Sequence, residues 1–301
     1  MKKVSIFGLG NIGVRVAYLL ARSRDVAEIR LVDVERRRSQ ATYLDFVRSN
    51  VALSSKLGFA SPVEAKEILE SDVVVIAASV PSAGTPELKV PEADTLKMMD
   101  GIIENVSHFA PQATVAVVSQ PAELLCKLVV EDGRIPPENV IGFPLLTNRE
   151  WLRDELSRRV GIEPSDIRMS TVRTLEGEEL VPEHTRVGGV PLSVFLSDPD
   201  RIRRVVVTEK VANRLQHYHY SPAAVVAEVT MELVNRRRVV ATAAVFHAEQ
   251  QLFLEAKAVI GPEGLERILP LTLTDEQRQR YAEYTEAVKR VTRELEQVRA
   301  G

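Results

Sequence analysis

The chain has 301 residues, too many for one small module and enough for two domains that share an interface. Hydrophobic residues make up 45% and charged residues 27%, an ordinary globular composition that argues against intrinsic disorder. The formal net charge of −3 and the absence of any apolar run near the ~18 residues of a membrane span give no reason to expect nucleic acid or a membrane as a partner.

Short apolar runs alternate with helical segments through the first 142 residues. The apolar runs predict strands at 3–7, 28–32, 72–78, 113–119 and 139–142. The helical spacing of apolar residues predicts helices at 14–21, 34–50, 91–109 and 122–131. This alternation indicates an α/β domain with a parallel sheet covered by helices on both faces, and we assign it residues 1–142.

The pattern changes after about residue 143. Helices are predicted at 148–160, 198–215, 223–235 and 274–298, with Thr274 as the cap of the last one. Extended segments are predicted at 167–175, 239–246 and 255–260, and the glycines and prolines of 182–191 indicate loops and a hairpin. We expect residues 143–301 to form a mixed α+β domain, and the joint to be packed because no low-complexity linker precedes it.

A G-x-G-x-x-G motif follows the first predicted strand and opens the first helix. Gly8 permits the tight turn, Gly10 lets the backbone approach a pyrophosphate, and Gly13 lets the helix pack closely on the strand. The helix start at Asn11 and Ile12 offers free N–H groups and partial positive charge to phosphates. The motif in this context predicts a dinucleotide-binding domain of the Rossmann type.

An acidic residue after the second strand favours NAD as the dinucleotide. Asp33 lies 20 residues after Gly13, where a carboxylate accepts hydrogen bonds from both ribose hydroxyls and repels a 2′-phosphate. Arginines at 36–38 could attract that phosphate, but Asp33 comes first. A flavin-binding or nucleotide-sugar domain, or a decayed site, is the alternative.

Other signatures bear on chemistry and compartment. The sequence has no Walker A motif, G-x-S-x-G elbow, H-E-x-x-H or C-x-x-C motif. His217 and His219 form an H-x-H pair without a further ligand cluster, so no metal site is predicted. Cys126 is the single cysteine, which favours a reducing compartment, and with no signal peptide recognised we expect a cytoplasmic protein.

The order of these features resembles the lactate/malate dehydrogenase family, especially its tetrameric malate branch. The matching stretches lie at 8–13, 33, 43–46, 72–81, 115–121, 140–142, 177, 181–182, 220–224 and 262–269. The resemblance implies a Rossmann domain followed by a mixed α+β substrate domain, NAD as cofactor with Ser79 among its contacts, and a homo-oligomer, dimer or tetramer. Helices 34–50 and 223–235 carry apolar faces that could meet across a subunit boundary.

The resemblance also implies where catalytic residues should stand, and this chain differs there. Two arginines of the family's mobile loop align with Ser82 and Leu88, and an asparagine before a proline aligns with Gln120. The family's aspartate–arginine pair aligns with Asn148 and Trp151, and its catalytic histidine aligns with Glu176. A shift of register would bring in other charges: Lys89, Arg149 or Arg153.

Each substitution changes what the pocket can do. The amide of Asn148 cannot stabilise an imidazolium as an aspartate does, and an indole offers one neutral donor where an arginine fork offers two charged bonds. Glu176 could serve in acid–base work if burial raised its pKa, or be one of three solvated loop acids together with Glu178 and Glu179. His217 could carry a proton instead, or cap the following helix with His219. Gln120 and Asn148 complete the candidate catalytic set.

These differences leave three hypotheses open. The first is an NAD-dependent oxidoreductase of altered substrate range, acting on a small uncharged or cationic alcohol and not on a dicarboxylate or 2-oxo acid. The second is a family member that binds NAD(H) without catalysis, as a sensor or assembly partner. The third is a structural subunit that has lost the nucleotide too, against which the intact glycines and Asp33 count.

Overall fold

The structure is a computed structural model. It describes residues 2–23, 25–53, 58–60, 68–80, 88–144, 146–196, 206–208 and 219–300. Side chains are described for these residues except 52–53, 58–60, 146–148 and 206–208.

Six parallel strands form the centre and one wing of the main sheet, in the order β3-β2-β1-β4-β5-β6. The strands are β1 Lys3–Phe7, β2 Glu28–Val32, β3 Gly58–Ala60, β4 Val73–Ile76, β5 Thr114–Val117 and β6 Val140–Gly142. Helices α1 Asn11–Ala21, α2 Arg36–Leu53, α3 Ala93–Phe109 and α4 Ala122–Val130 connect them. β4 consists entirely of buried apolar residues, and β1 and β5 are largely buried and mostly apolar, as expected for strands covered on both faces.

Three antiparallel strands continue the same sheet beyond β6. They are β13 Val239–His247, β14 Leu252–Gly261 and β15 Gly264–Ile268, and β13 meets β6 through the pair Ala244 and Gly142. The described part of this sheet therefore has nine strands. A Cβ on Gly142 would lie 2.9 Å from the Cβ of Ala244, so the two backbones approach closely only because position 142 is glycine.

Short strands and one helix form a separate layer. Helix α5 spans Leu146–Val160. One three-stranded sheet has the order β11-β10-β7, with β7 Ile167–Arg168, β10 Arg186–Val187 and β11 Val190–Pro191. The other has the order β12-β9-β8, with β8 Thr171–Thr174, β9 Gly177–Leu180 and β12 Val206–Thr208. Buried residues of α5 join Ile167, Leu180, Val187 and Leu192 in a small apolar core.

The main sheet has an apolar core on each face. Helices α1 and α6 (Tyr220–Val234) pack together on one face, with Val16, Leu20 and Val226 among the fully buried residues. Helices α3 and α4 cover the other face, joined by the end of the last helix, α7 (Asp275–Ala300). Among the described residues, no helix is long and apolar enough to cross a membrane.

The α/β class of the first half and the mixed class of the second are confirmed. Thr274 caps α7 as predicted: its hydroxyl accepts from the Gln277 N–H at 3.2 Å, and the Gln277 side chain accepts from the Thr274 N–H at 3.2 Å. The predicted hairpin forms at Gly188 and Gly189, both at positive φ.

One predicted helix is wrong where the structure describes it. The segment 198–215 contains strand β12, Val206–Thr208, which pairs antiparallel with β9. The β-branched run 205–208 explains the strand, since such residues fit a pleated surface better than a helix. The rest of that segment lies outside the described residues.

Candidate functional site

The glycine-rich turn has the geometry its sequence predicts. Gly8 lies at φ +91°, and a Cβ there would lie 2.4 Å from the Ala78 backbone. A Cβ on Gly13 would lie 1.9 Å from the Gly8 carbonyl oxygen, so helix α1 can pack here only without a side chain. A Cβ on Gly10 would meet nothing within 4 Å, which leaves open space beside the N-terminus of α1.

That open space suits a pyrophosphate. Gly10 is the N-cap of α1 and supplies no side-chain cap, and helix geometry leaves the first N–H groups, at Asn11 and Ile12, without intrahelical partners. These donors and the helix dipole favour an anion at this point. The residues present therefore fit the diphosphate of a dinucleotide.

Asp33 follows β2 directly and is held in place by backbone donors. Its Oδ2 accepts from the Leu9 N–H at 2.7 Å, and its Oδ1 accepts from the Glu35 N–H at 2.9 Å. Its side chain is 5% exposed, and the nearest Arg38 nitrogen is 3.9 Å away. Each oxygen keeps a lone pair after these bonds, so Asp33 can still accept from ribose hydroxyls.

The carboxyl ends of β4, β5 and β6 bring further candidates to the same edge of the sheet. Ser79 lies exposed just after β4. Gln120, after β5, donates from Nε2 to the carbonyls of Val118 at 3.1 Å and Phe143 at 3.0 Å. Gln120 therefore joins the loops that follow β5 and β6, at the edge where ligands bind in open α/β sheets.

Helix α5 carries two of the aligned positions. Asn148 lies in its first turn, with a side chain outside those described. Trp151 is partly buried and packs against the apolar core beneath α5. Arg153 pairs with Glu150 on the same helix at 3.1 Å.

The hairpin of β8 and β9 places three glutamates that are close in sequence in different degrees of burial. Glu176 lies exposed in the turn. Glu178 is fully buried and Glu179 is 4% exposed, so the interpretation of these two as solvated loop acids is wrong. The hydrophobic pattern could not reveal this, because their surroundings come from α5, β14 and α7.

Other predicted residues are placed less completely. Leu88 packs against two apolar cores, next to the exposed Lys89. Ser82 and His217 lie outside the described residues. His219 is the N-cap residue of α6 and makes no side-chain capping bond there. Within the part of the chain that the structure describes, no group of three or more His, Cys, Asp or Glu residues could hold a metal.

A buried ionic cluster that sequence analysis missed lies between α5, β9 and β14. We call Arg149, Glu178 and Glu255 the Arg149 cluster. The Arg149 guanidinium contacts the Glu178 carboxylate directly, lies 3.5 Å from Glu255 Oε1, and donates to the Thr242 carbonyl at 3.2 Å. The three side chains are 13%, 0% and 1% exposed. Each element contributes one residue, so only the fold reveals the cluster.

Burial shapes the protonation of this cluster. Burial, reinforced by repulsion from Glu178, raises the pKa of Glu255 well above its ordinary value, although Arg149 and Arg173 oppose the change. Burial works against the charge on Arg149, but the attraction of Glu178 and Glu255 outweighs it and raises the pKa of the guanidinium. Arg149 therefore stays charged, and burial favours the protonated form of Glu255.

Comparisons with known proteins agree with this geometry. Residues 2–142 match the family described as lactate/malate dehydrogenase, NAD binding domain. A malate dehydrogenase of Geobacillus thermodenitrificans is 26% identical over 98% of both chains.

Solved structures share the fold. The malate dehydrogenase of Picrophilus torridus has a TM-score of 0.86 at 20% identity, covering 99% of this chain and 98% of that one. The lactate dehydrogenase of Cryptosporidium parvum, solved with lactic acid and nicotinamide adenine dinucleotide, has a TM-score of 0.86 at 22% identity over 98% of each chain.

A parallel sheet with a G-x-G-x-x-G turn, Asp33 and a mixed second half defines a two-domain protein that binds a nicotinamide dinucleotide. Its cofactor is NAD, which the matching domain family binds. Residues 2–142 match the NAD-binding domain of the lactate/malate dehydrogenase family, and the whole chain is similar to malate dehydrogenases over almost all of its length.

Proposed function

We propose that this chain is a cytoplasmic NAD-dependent oxidoreductase that acts on the CH–OH group of a small uncharged or cationic alcohol, and not on malate or lactate. Bound NAD would accept a hydride from the alcohol carbon, and Glu176, Gln120, Asn148 and His217 are the candidates to hold the substrate or accept its hydroxyl proton. The exposed turn at Glu176 leaves that carboxylate free to reach a ligand.

The state of Arg149 carries this proposal. It follows the aligned position Asn148 on α5, and two internal carboxylates already engage it. A substrate carboxylate would have to displace Glu178 or Glu255 from a desolvated pair, which costs several kcal/mol. Arg153 is engaged by Glu150, while Leu88 and Trp151 pack against apolar cores.

The test combines binding and turnover. We expect calorimetry to show NADH binding, and a screen of aldehydes and ketones followed at the nicotinamide absorbance to find a substrate. Oxaloacetate and pyruvate should not be reduced at a meaningful rate, since removing even one preorganised charge from such a site costs ~3 kcal/mol, a factor of about a hundred. Rapid turnover of oxaloacetate would refute the proposed substrate range.

A second candidate is a non-catalytic NAD-binding protein. It is favoured by the Gln120 amide, whose Nε2 is occupied by two backbone carbonyls rather than free to donate to a substrate. NADH binding without turnover of any compound in the screen would support it over the first candidate.

A further inference from the structure

Buried charged residues follow the candidate catalytic residues on three elements. Arg149, Glu178 and Glu123 come one, two and three positions after the candidates on α5, the β8–β9 hairpin and the loop before α4. Such spacing places each buried group within one helical turn, or two residues along a strand, of a candidate residue. The segments that carry the candidate residues are therefore anchored by buried charged side chains.

The Arg149 cluster ties two of these segments to the main sheet. Arg149 comes from α5, Glu178 from β9 and Glu255 from β14, and the guanidinium lies between the two carboxylates. Moving one of these elements away would separate a buried ion pair and leave a buried charge without its partner, which is strongly destabilising. The cluster therefore keeps α5, β9 and β14 at a fixed separation. The bond from Arg149 to the Thr242 carbonyl adds β13 to the same contact.

A second set of bonds ties the third segment to β14. The Tyr284 hydroxyl of α7 donates to Glu123 Oε1 at 2.8 Å and accepts from the Glu255 N–H at 3.3 Å. Glu123 and Tyr284 are 4% and 1% exposed. Since Glu123 lies in the first turn of α4, this pair fixes the start of the helix that follows Gln120.

Among the described residues, five further charged or titratable groups interact with the cluster. They are Arg173 on β8, Lys257 on β14, Glu150 on α5, and Tyr281 and Tyr284 on α7. Lys257 is held by the Ser170 hydroxyl at 2.6 Å. Arg149 remains the cation that bonds Glu178 and Glu255 directly.

We propose that the three residues of the Arg149 cluster are positioning residues. Their buried ion pairs set the position of α5 and of the Glu176 turn relative to the bound dinucleotide. The proposal rests on the proposed function, because it assigns these residues to a nicotinamide site. They touch neither cofactor nor substrate; they act through the elements that carry Asn148 and Glu176.

Trp151 provides the test, because it is the single tryptophan of the chain and lies two residues after Arg149. Its emission reports the packing of α5, and energy transfer from it to bound NADH reports the separation of α5 from the nicotinamide. The cluster is neutralised by Arg149→Met with Glu178→Gln and Glu255→Gln, which removes the cation and both carboxylates together and so leaves none of the three charged alone. Arg149→Lys keeps the charge as the conservative variant.

We expect the neutralised variant to bind NADH with wild-type Kd, since Asp33 and the glycine turn are untouched. Its Trp151 emission should shift to the red and its transfer to NADH should change, and Arg149→Lys should restore both in part. Arg299→Met is the matched control: Arg299 also bridges two carboxylates, Asp100 and Glu131, each at 2.9 Å, but away from the Arg149 cluster. It should leave both signals unchanged.

Two results would overturn the inference. One is a folded neutralised variant with wild-type Trp151 emission and transfer; the other is the same change in the Arg299→Met control. If the neutralised variant fails to fold, the single variant Glu255→Gln is tested with the same two measurements, because glutamine keeps the shape of the side chain. Wild-type emission and transfer in that variant would equally overturn the inference. Failure of the wild type to bind NADH would refute the proposed function. The shift of Trp151 emission is measured without NADH, so it tests the positioning role of the Arg149 cluster independently.

Discussion

Glu178 and Glu179 are adjacent on β9 but pack against different partners, because both faces of this strand are covered. Glu178 bonds Arg149, whereas Glu179 accepts from Gln277 Nε2 at 3.1 Å and pairs with Arg280 Nε at 3.0 Å. Successive side chains of a strand point to opposite faces, so two adjacent acids can each be buried against a separate partner. Because both side chains are buried on their respective faces, neither carboxylate is accessible to a substrate.

Glu255→Gln should change how stability depends on pH. Burial, with repulsion from Glu178, raises the folded-state pKa of Glu255, so its favourable contribution is present below the unfolded pKa and is lost as pH rises through the folded pKa. Wild type should therefore lose stability relative to Glu255→Gln as pH rises above the ordinary pKa of a glutamate. Urea unfolding measures this; the exposed Glu263→Gln should show no such divergence, and parallel curves for Glu255→Gln would contradict the argument.

Asp33→Ala should weaken NADH binding and relax discrimination against NADPH. Loss of hydrogen bonds to a charged group costs about 1.5–3 kcal/mol, roughly a tenfold to hundredfold rise in Kd. Asp33→Asn serves as the control, because it keeps an oxygen acceptor for the Leu9 N–H while removing the repulsion of a 2′-phosphate. Calorimetry with both nucleotides distinguishes these effects, and unchanged affinities for Asp33→Ala would remove the cofactor role of this residue.

At the scale of elements, the capping box of α7 offers a direct measurement. Thr274→Ala removes the acceptor for the Gln277 N–H and should cost about 1 kcal/mol of unfolding free energy. Thr274→Ser keeps the hydroxyl and should stay near wild type. Equal stabilities of the alanine and serine variants in urea would show that this cap contributes nothing.

Elements with a strong local signal could be predicted from sequence, and elements defined by partners could not. The glycine turn and the Thr274 cap depend on residues within a few positions of each other, and Asp33 stands at a fixed motif spacing, 20 residues after Gly13. The structure places all three as expected. Strands β9, β12 and β15 are short and take their conformation from antiparallel neighbours distant in sequence. For the same reason the Arg149 cluster, which joins positions up to 106 apart, left no sequence pattern.

At the scale of the molecule, α2 presents an apolar stripe that supports self-association. Leu44, Val47 and Val51 are 51%, 38% and 79% exposed and follow a helical spacing of one face. The apolar residues of α6, the other helix predicted to meet a partner, are mostly buried within the chain. We therefore expect the predicted homo-oligomer to form through the α2 stripe.

Leu44→Glu with Val47→Glu should shift the protein towards monomer, because charges desolvated in an interface are costly. Light scattering at micromolar concentration measures the mass, with Val298→Glu as the control on α7, where the side chain is 58% exposed. A monomeric wild type, or an oligomer that both variants leave intact, would contradict an interface at α2.

The continuity of the main sheet makes its two halves poor independent modules. Strand β6 is completed on its outer side by β13, which comes from residue 239 onwards. A fragment ending at residue 142 would expose the fully buried Val140 and Ile141 on an open edge whose N–H and C=O groups invite pairing with another chain. Such a fragment is expected to aggregate rather than to fold as an autonomous nucleotide-binding unit.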